Sequence, residues 1–213
     1  MDWETLSPPW RAAFEEAWDA YRNGSVPIGA ALADENGAVI ARGRNRLMEL
    51  QTPPGHVCHS ELSHAELNTL LQVSRRDHPD IRSYVLYTTV EPCPLCMGAL
   101  VMSNLRSLRF AARDGWAGST SNSLQMPYVA AKKLNVEGPI AGLGDINTVL
   151  NAERAIAQNP DPGNVLIARW SQDYPAAIAV AQRWYAEGTL TRASEEHRDA
   201  AWVFDAIAEA LKL

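Results

Sequence analysis

Long apolar runs are missing from this 213-residue chain: no stretch approaches the ~20 residues a membrane-spanning helix needs. The N-terminal run Met1-Asp2-Trp3-Glu4 lacks the basic start of a secretory signal peptide. Cysteine is scarce. Three of them exclude a disulfide framework and suit a reducing, cytoplasmic setting, where thiols bind metal or fill the core. Positive charge is also short: 19 Lys+Arg against 25 Asp+Glu leave a net −6. That balance weighs against a tight binder of nucleic-acid phosphates. The last 99 residues hold eight basic and eleven acidic side chains, so no basic tail compensates there. Internal repeats and low-complexity tracts are absent, and 46% hydrophobic residues exclude global disorder.

What is present is an alternation of helical and extended patterns. Ser7 followed by Pro8-Pro9 predicts a helix start, and Trp10, Phe14, Ala17, Trp18 and Tyr21 recur at helical spacing up to about Arg22. Asn23-Gly24 closes that helix. Residues 28–33 and 38–42 read as two strands around the turn Asp34-Glu35-Asn36-Gly37. A polar loop covers 45–61, a helix 64–75, a strand 83–88, a helix 92–103 and a strand 105–111. Such an order favours a sheet flanked by helices. Beyond Gly115 the pattern is helical over 126–134, 145–158, 175–186 and 194–213, with 165–170 as one further strand candidate. The expected division is a core at 1–114 and a mainly helical extension packed on it at 115–213.

Two short segments carry chemistry: Ser63-His64-Ala65-Glu66 and Glu91-Pro92-Cys93-Pro94-Leu95-Cys96. Cys-x-x-Cys sets two thiolates about one helical turn apart, close enough to hold one zinc ion at roughly 2.3 Å. His64 offers a nitrogen ligand. With three protein ligands, zinc retains a position for water and lowers that water's pKa towards neutrality. Glu66, two residues from a ligand, is placed to carry the proton.

His64-Ala65-Glu66 with Pro92-Cys93-x-x-Cys96 resembles the zinc-dependent cytidine and deoxycytidylate deaminase superfamily. Val26-Pro27-Ile28-Gly29-Ala30 and Gly43-Arg44-Asn45-Arg46 resemble that family's first strand and substrate loop. Glu91-Pro92-Cys93 and the loop asparagine are most similar to its purine-type branch, the guanine and tRNA adenosine deaminases. The resemblance implies a three-layer α/β/α fold and Zn²⁺ on His64, Cys93 and Cys96. It implies that Glu66 carries protons, Asn45 bonds the base edge and the Ala65 N–H contacts the ring. A homodimer is also implied. The expected activity is hydrolytic deamination of a free amino-substituted base or related heterocycle (guanine-, cytosine- or triazine-like), with no nucleic-acid partner.

Plainer readings stand beside these. Ser63-x-x-Glu66 is also a capping box, and Asn45 is a natural turn residue. Cys93 and Cys96 also suit a redox pair, while Cys58, His56 or His59 as a fourth donor would make the zinc structural. Trp116, Tyr128 and Trp170 are stacking candidates, and Asp114 a specificity candidate. The rival activities are tRNA adenosine deamination and a non-catalytic zinc protein on the same scaffold.

Overall fold

The computed structural model describes residues 1–161 and 163–213. Helix α1 (Pro8–Arg22) buries the aromatic stripe of Trp10, Phe14, Trp18 and Tyr21. Its two prolines preset the first turn, but the Ser7 hydroxyl makes no capping bond. Strands β1 (Gly29–Ala33) and β2 (Val39–Arg44) form an antiparallel hairpin. Asp34 Oδ1 accepts the N–H groups of Asn36 and Ala38 at 2.9 and 2.8 Å, and Gly37 takes the left-handed conformation that closes the turn. The chain then runs through α2 (Ala65–Leu70), β3 (Val85–Val90), α3 (Pro94–Met102) and β4 (Ser107–Ala112).

Two four-residue helices follow, α4 (Thr120–Ser123) and α5 (Pro127–Ala130), and then strand β5 (Asn135–Glu137). The chain ends in α6 (Leu143–Gln158), α7 (Val165–Asp173), α8 (Pro175–Glu187), α9 (Thr189–Glu195) and α10 (Ala200–Leu211). The sheet order is β2-β1-β3-β4-β5, with β1 antiparallel to both neighbours and β3, β4 and β5 mutually parallel. One apolar cluster joins α1, α6, α8 and α10 to one sheet face, and a second joins α2 and α3 to the other. The expected α/β/α layering results. Among the described residues no helix is long and apolar enough to cross a membrane.

Several expected elements are corrected. Residues 165–170 belong to a helix, not a strand: Asn164 Oδ1 caps it through the Leu166 N–H at 3.1 Å, and Ile167 and Trp170 turn inward three residues apart. The helix expected over 64–75 ends at Leu70, after which Gln72 and Val73 donate to carbonyls three residues back. Within 126–134 only α5 is helical, and the strand that follows has a single half-buried apolar side chain, Val136, too little for an alternation signal. The last predicted helix divides at His197, where φ is +55°, and Asp199 caps α10. Helix α3 starts at Pro94, leaving Cys93 extended at its N-cap.

Two glycines let both helical layers reach the sheet. A Cβ on Gly29 would lie 2.0 Å from the Ala13 carbonyl of α1, and one on Gly43 would lie 2.7 Å from the Thr69 nitrogen of α2. Both obstacles are backbone and cannot rotate away. Gly43→Ala is therefore expected to lower stability by about 1–3 kcal/mol, the range for overpacking. Urea denaturation checks it, and a wild-type midpoint would show that α2 does not press on β2.

Candidate metal centre and active site

Three donors converge where α2 and α3 begin. His64 is the extended N-cap of α2, Cys93 that of α3, and Cys96 lies buried in the first turn of α3. The two sulfurs are 3.7 Å apart, and His64 Nδ1 lies 3.5 Å from Cys93 Sγ and 3.4 Å from Cys96 Sγ. Zinc–sulfur bonds of ~2.3 Å and a zinc–nitrogen bond of ~2.0–2.1 Å at tetrahedral angles require edges of about 3.8 Å and about 3.6 Å. The observed triangle has that size, so the residues fit a zinc ion. The redox alternative does not account for the imidazole placed symmetrically against both sulfurs.

Electrostatics point the same way. The Cys93 thiol is held down at about 4, chiefly by the hydrogen bond from Cys96 and also by His64. Cys96 is pushed strongly upward by the same bond and by burial. His64 is raised by its bond to Cys93, and Glu66 by burial of its carboxylate. Two sulfurs and a carboxylate packed this closely cannot all be anionic beside one imidazole unless a cation shares the site.

Glu66 is 4% exposed and faces this centre. Its Oε1 accepts from Thr88 Oγ1 and its Oε2 faces Cys96 Sγ, each at 3.3 Å. It does not bond back to Ser63, whose hydroxyl is buried without a partner among the described residues, so the capping-box reading fails. His64, Cys93 and Cys96 form the donor group among the described residues; Glu66, His56, Cys58 and His59 do not join it. Three protein donors are the set of a catalytic rather than a structural zinc.

Asn45 is buried at the end of β2, its N–H donating to the Ile28 carbonyl at 3.0 Å. Its Oδ1 accepts from the Leu47 N–H at 3.1 Å, so the turn reading holds for that atom. Its Nδ2 has no hydrogen-bond partner among the described residues. Glu49 accepts from Arg44 at 2.9 and 3.1 Å and from Arg46, clamping both flanks of Asn45. Asn68 was missed by sequence reasoning. It donates to the Arg44 and Val57 carbonyls, both at 3.0 Å, and accepts from the Val57 N–H at 2.7 Å, tying the 45–61 loop to α2. Its position four residues after His64 was the available signal.

Glu91 is a second missed role. Its carboxylate accepts from the Thr120 N–H at 3.1 Å, from the Thr120 hydroxyl, and from the Asp114 N–H at 3.3 Å. The Pro92 carbonyl accepts the Ser119 N–H at 3.0 Å. A Cβ on Gly118 would lie 2.5 Å from Glu91 Oε2, so glycine is needed there. The turn 114–120 is thereby fastened to the two residues before Cys93. Asp114 Oδ1 shapes it by accepting from the Trp116 and Ala117 N–H groups, which leaves Trp116 exposed at its tip. Trp170 instead packs against the core, and Tyr128 lies exposed on α5.

The family model for the cytidine and deoxycytidylate deaminase zinc-binding region matches residues 5–112, which contain all three donors and Glu66. The chain belongs to this family. The deaminase is similar to the tRNA-specific adenosine deaminases of Aquifex aeolicus (33% identity over 121 residues; 55% of this chain, 74% of the relative) and Bacillus subtilis (35% over 119 residues; 54% and 68%). It is also similar to a crystal structure of an NE0047 mutant in complex with 8-azaguanine. That likeness has 25% identity and a TM-score of 0.50, and it covers 70% of this chain and 85% of that one.

The purified deaminase is expected to carry about one zinc per chain. Cys93→Ser should lose most of it while keeping the circular dichroism of the fold, as read by elemental analysis. Undiminished zinc in that variant would remove Cys93 from the ligand set.

Proposed function

We propose that the deaminase removes the amino group hydrolytically from a free nucleobase or related heterocycle (guanine-, cytosine- or triazine-like) and releases ammonia. The observation that carries this reading is the Glu66 carboxylate, buried beside the three-donor centre and outside its ligand set. When bound, zinc supplies an activated water at neutral pH. Glu66 takes a proton from the attacking water at its carboxylate and passes it to the ring nitrogen beside the amino-bearing carbon; it then takes the proton of the added hydroxyl and delivers it to the departing amine. The net change is ring C–NH₂ plus water giving ring C=O plus NH₃. Asn45 Nδ2 donates to the base edge and the Ala65 N–H to a ring acceptor. Burial excludes bulk water from Glu66 and keeps its affinity for the proton high.

Support for a small purine-type substrate comes from the 8-azaguanine complex of the similar structure and from the charge of this chain. A net −6, with acidic residues in excess over the last 99 residues, offers little to neutralise a phosphate backbone. The second reading, adenosine deamination in tRNA, rests on the curated relatives carrying that name. A non-catalytic role leaves the buried Glu66 carboxylate unexplained. The proposal extends to a cytoplasmic protein and to residues 115–213 as an extension packed on a deaminase core. It also extends to a homodimer, for which the exposed Met102, Met126 and Tyr128 around α3 offer an apolar face.

Ammonia release from a panel of free bases, nucleosides and tRNA is expected to occur with free bases. Turnover confined to tRNA would replace this reading by the second one. Glu66→Ala should retain zinc yet lose about 10²–10⁴ in kcat, and unaltered turnover would refute the proton role. In light scattering, Met102→Lys is expected to shift the protein towards the monomer; an unchanged mass would move the interface elsewhere.

A further inference from the structure

Arginine occupies every second position along the end of β2 and just past it: Arg42, Arg44 and Arg46. Residues two apart in an extended chain project to the same side, and here all three guanidinium groups find carboxylates. Arg42 pairs with Glu15 and Glu16 of α1, both at 2.7 Å. Arg44 Nη1 lies 3.5 Å from Glu16 and 3.7 Å from Asp19. Arg44 and Arg46 also share one acid, Glu49. It accepts from Arg44 Nε and Nη2 at 2.9 and 3.1 Å and from Arg46 Nη1. The Arg46 and Glu49 side chains are only 7% and 9% exposed. Desolvation offsets much of the attraction in so buried a pair, so stability alone is a weak reason for it.

What the carboxylate fixes is the residue between the two arginines. Gripping 44 and 46 from one side turns Asn45 to the other. Both neighbours of Asn45 are also tied to the start of α2. The Arg46 N–H donates at 2.9 Å to the carbonyl of Ser63, the residue directly before His64. The Arg44 carbonyl accepts from Asn68 Nδ2 at 3.0 Å, and the Asn68 N–H bonds the His64 carbonyl at 2.9 Å. Asn45 is thereby held against the helix start that carries His64 and Glu66. With Oδ1 committed to the Leu47 N–H, its amide orientation is set as well.

We propose that Glu49 is a positioning residue for base recognition. By holding Arg44 and Arg46 together, it presents the Asn45 amide beside the start of α2 in the orientation that bonds the base edge, and it touches no substrate itself. Such a residue preorganises a contact made by another side chain. The inference rests on the free-base reading above, in which Asn45 contacts the substrate.

The test measures ammonia release from the base that is turned over, with zinc content read beside it. Glu49→Gln should keep zinc at the wild-type level and raise KM about three- to tenfold, the range of one lost hydrogen bond, with kcat within about twofold. Asn45→Ala should raise KM at least as much. In the Asn45→Ala background the effect of Glu49→Gln should fall below about twofold, because residues acting through one contact do not add. An equal loss in both backgrounds, or a fall in kcat with KM unmoved, would mark a structural role and overturn the proposal. Should Glu49→Gln fail to fold, Arg46→Met takes its place, since it removes one cation and leaves Glu49 with Arg44. The same KM rise, lost in the Asn45→Ala background, is then expected, and its absence overturns the proposal. Wild-type protein releasing ammonia from no free base sinks the functional reading itself. Active wild type whose KM is untouched by Glu49→Gln sinks only the role of Glu49.

Discussion

Crowding of acidic donors at two helix starts is the constraint from which the rest of the molecule follows. Cys96 lies within hydrogen-bonding reach of both Cys93 and Glu66, with the His64 imidazole beside the two sulfurs. The hydrogen bond between the two sulfurs pushes Cys96 up and holds Cys93 down. The sheet exists, in this sense, to bring α2 and α3 side by side. Glycine lets helix backbone meet strand backbone, at Gly43 for α2 on one face and at Gly29 and Gly144 for α1 and α6 on the other. The opposite layer of α1, α6, α8 and α10 covers the other face and supplies most of the apolar core.

Much of this was legible in the amino-acid order because the informative signals were local. The aromatic stripe of α1, the Asp34–Gly37 turn and the Cys-x-x-Cys spacing each depend on residues within one or two turns of each other. Such patterns survive without knowledge of the fold. Where tertiary contacts decide, reading failed. The strand at Asn135–Glu137 exists because β4 offers an edge to pair with, not because three residues alternate. The segment at 165–170 looks extended on β-branched content, yet the Asn164 cap and the core contacts of Ile167 and Trp170 make it helical.

The centre divides along the same line. His64, Glu66, Cys93 and Cys96 could be named from spacing. The residues that hold them in place were not, because side-chain hydrogen bonds follow no fixed spacing along the chain. Asn68 ties α2 to the loop at Val57, Glu49 pins both flanks of Asn45, and Glu91 reaches Thr120 across 29 positions. Asn45 illustrates how two readings can both be right for one side chain, its oxygen spent on a turn and its nitrogen left over.

The fastening of turn 114–120 to Glu91 and Pro92 has an evolutionary corollary. Selectivity in an enzyme is usually altered by exchanging loops that the scaffold tolerates losing. Here the loop and the metal-gripping helix share one carboxylate, so a new loop must either preserve that anchor or unsettle the sulfur beside it. Substitutions at the two places should therefore be strongly non-additive. Divergence of this branch would proceed more readily through segments that share no such anchor than through the turn after β4.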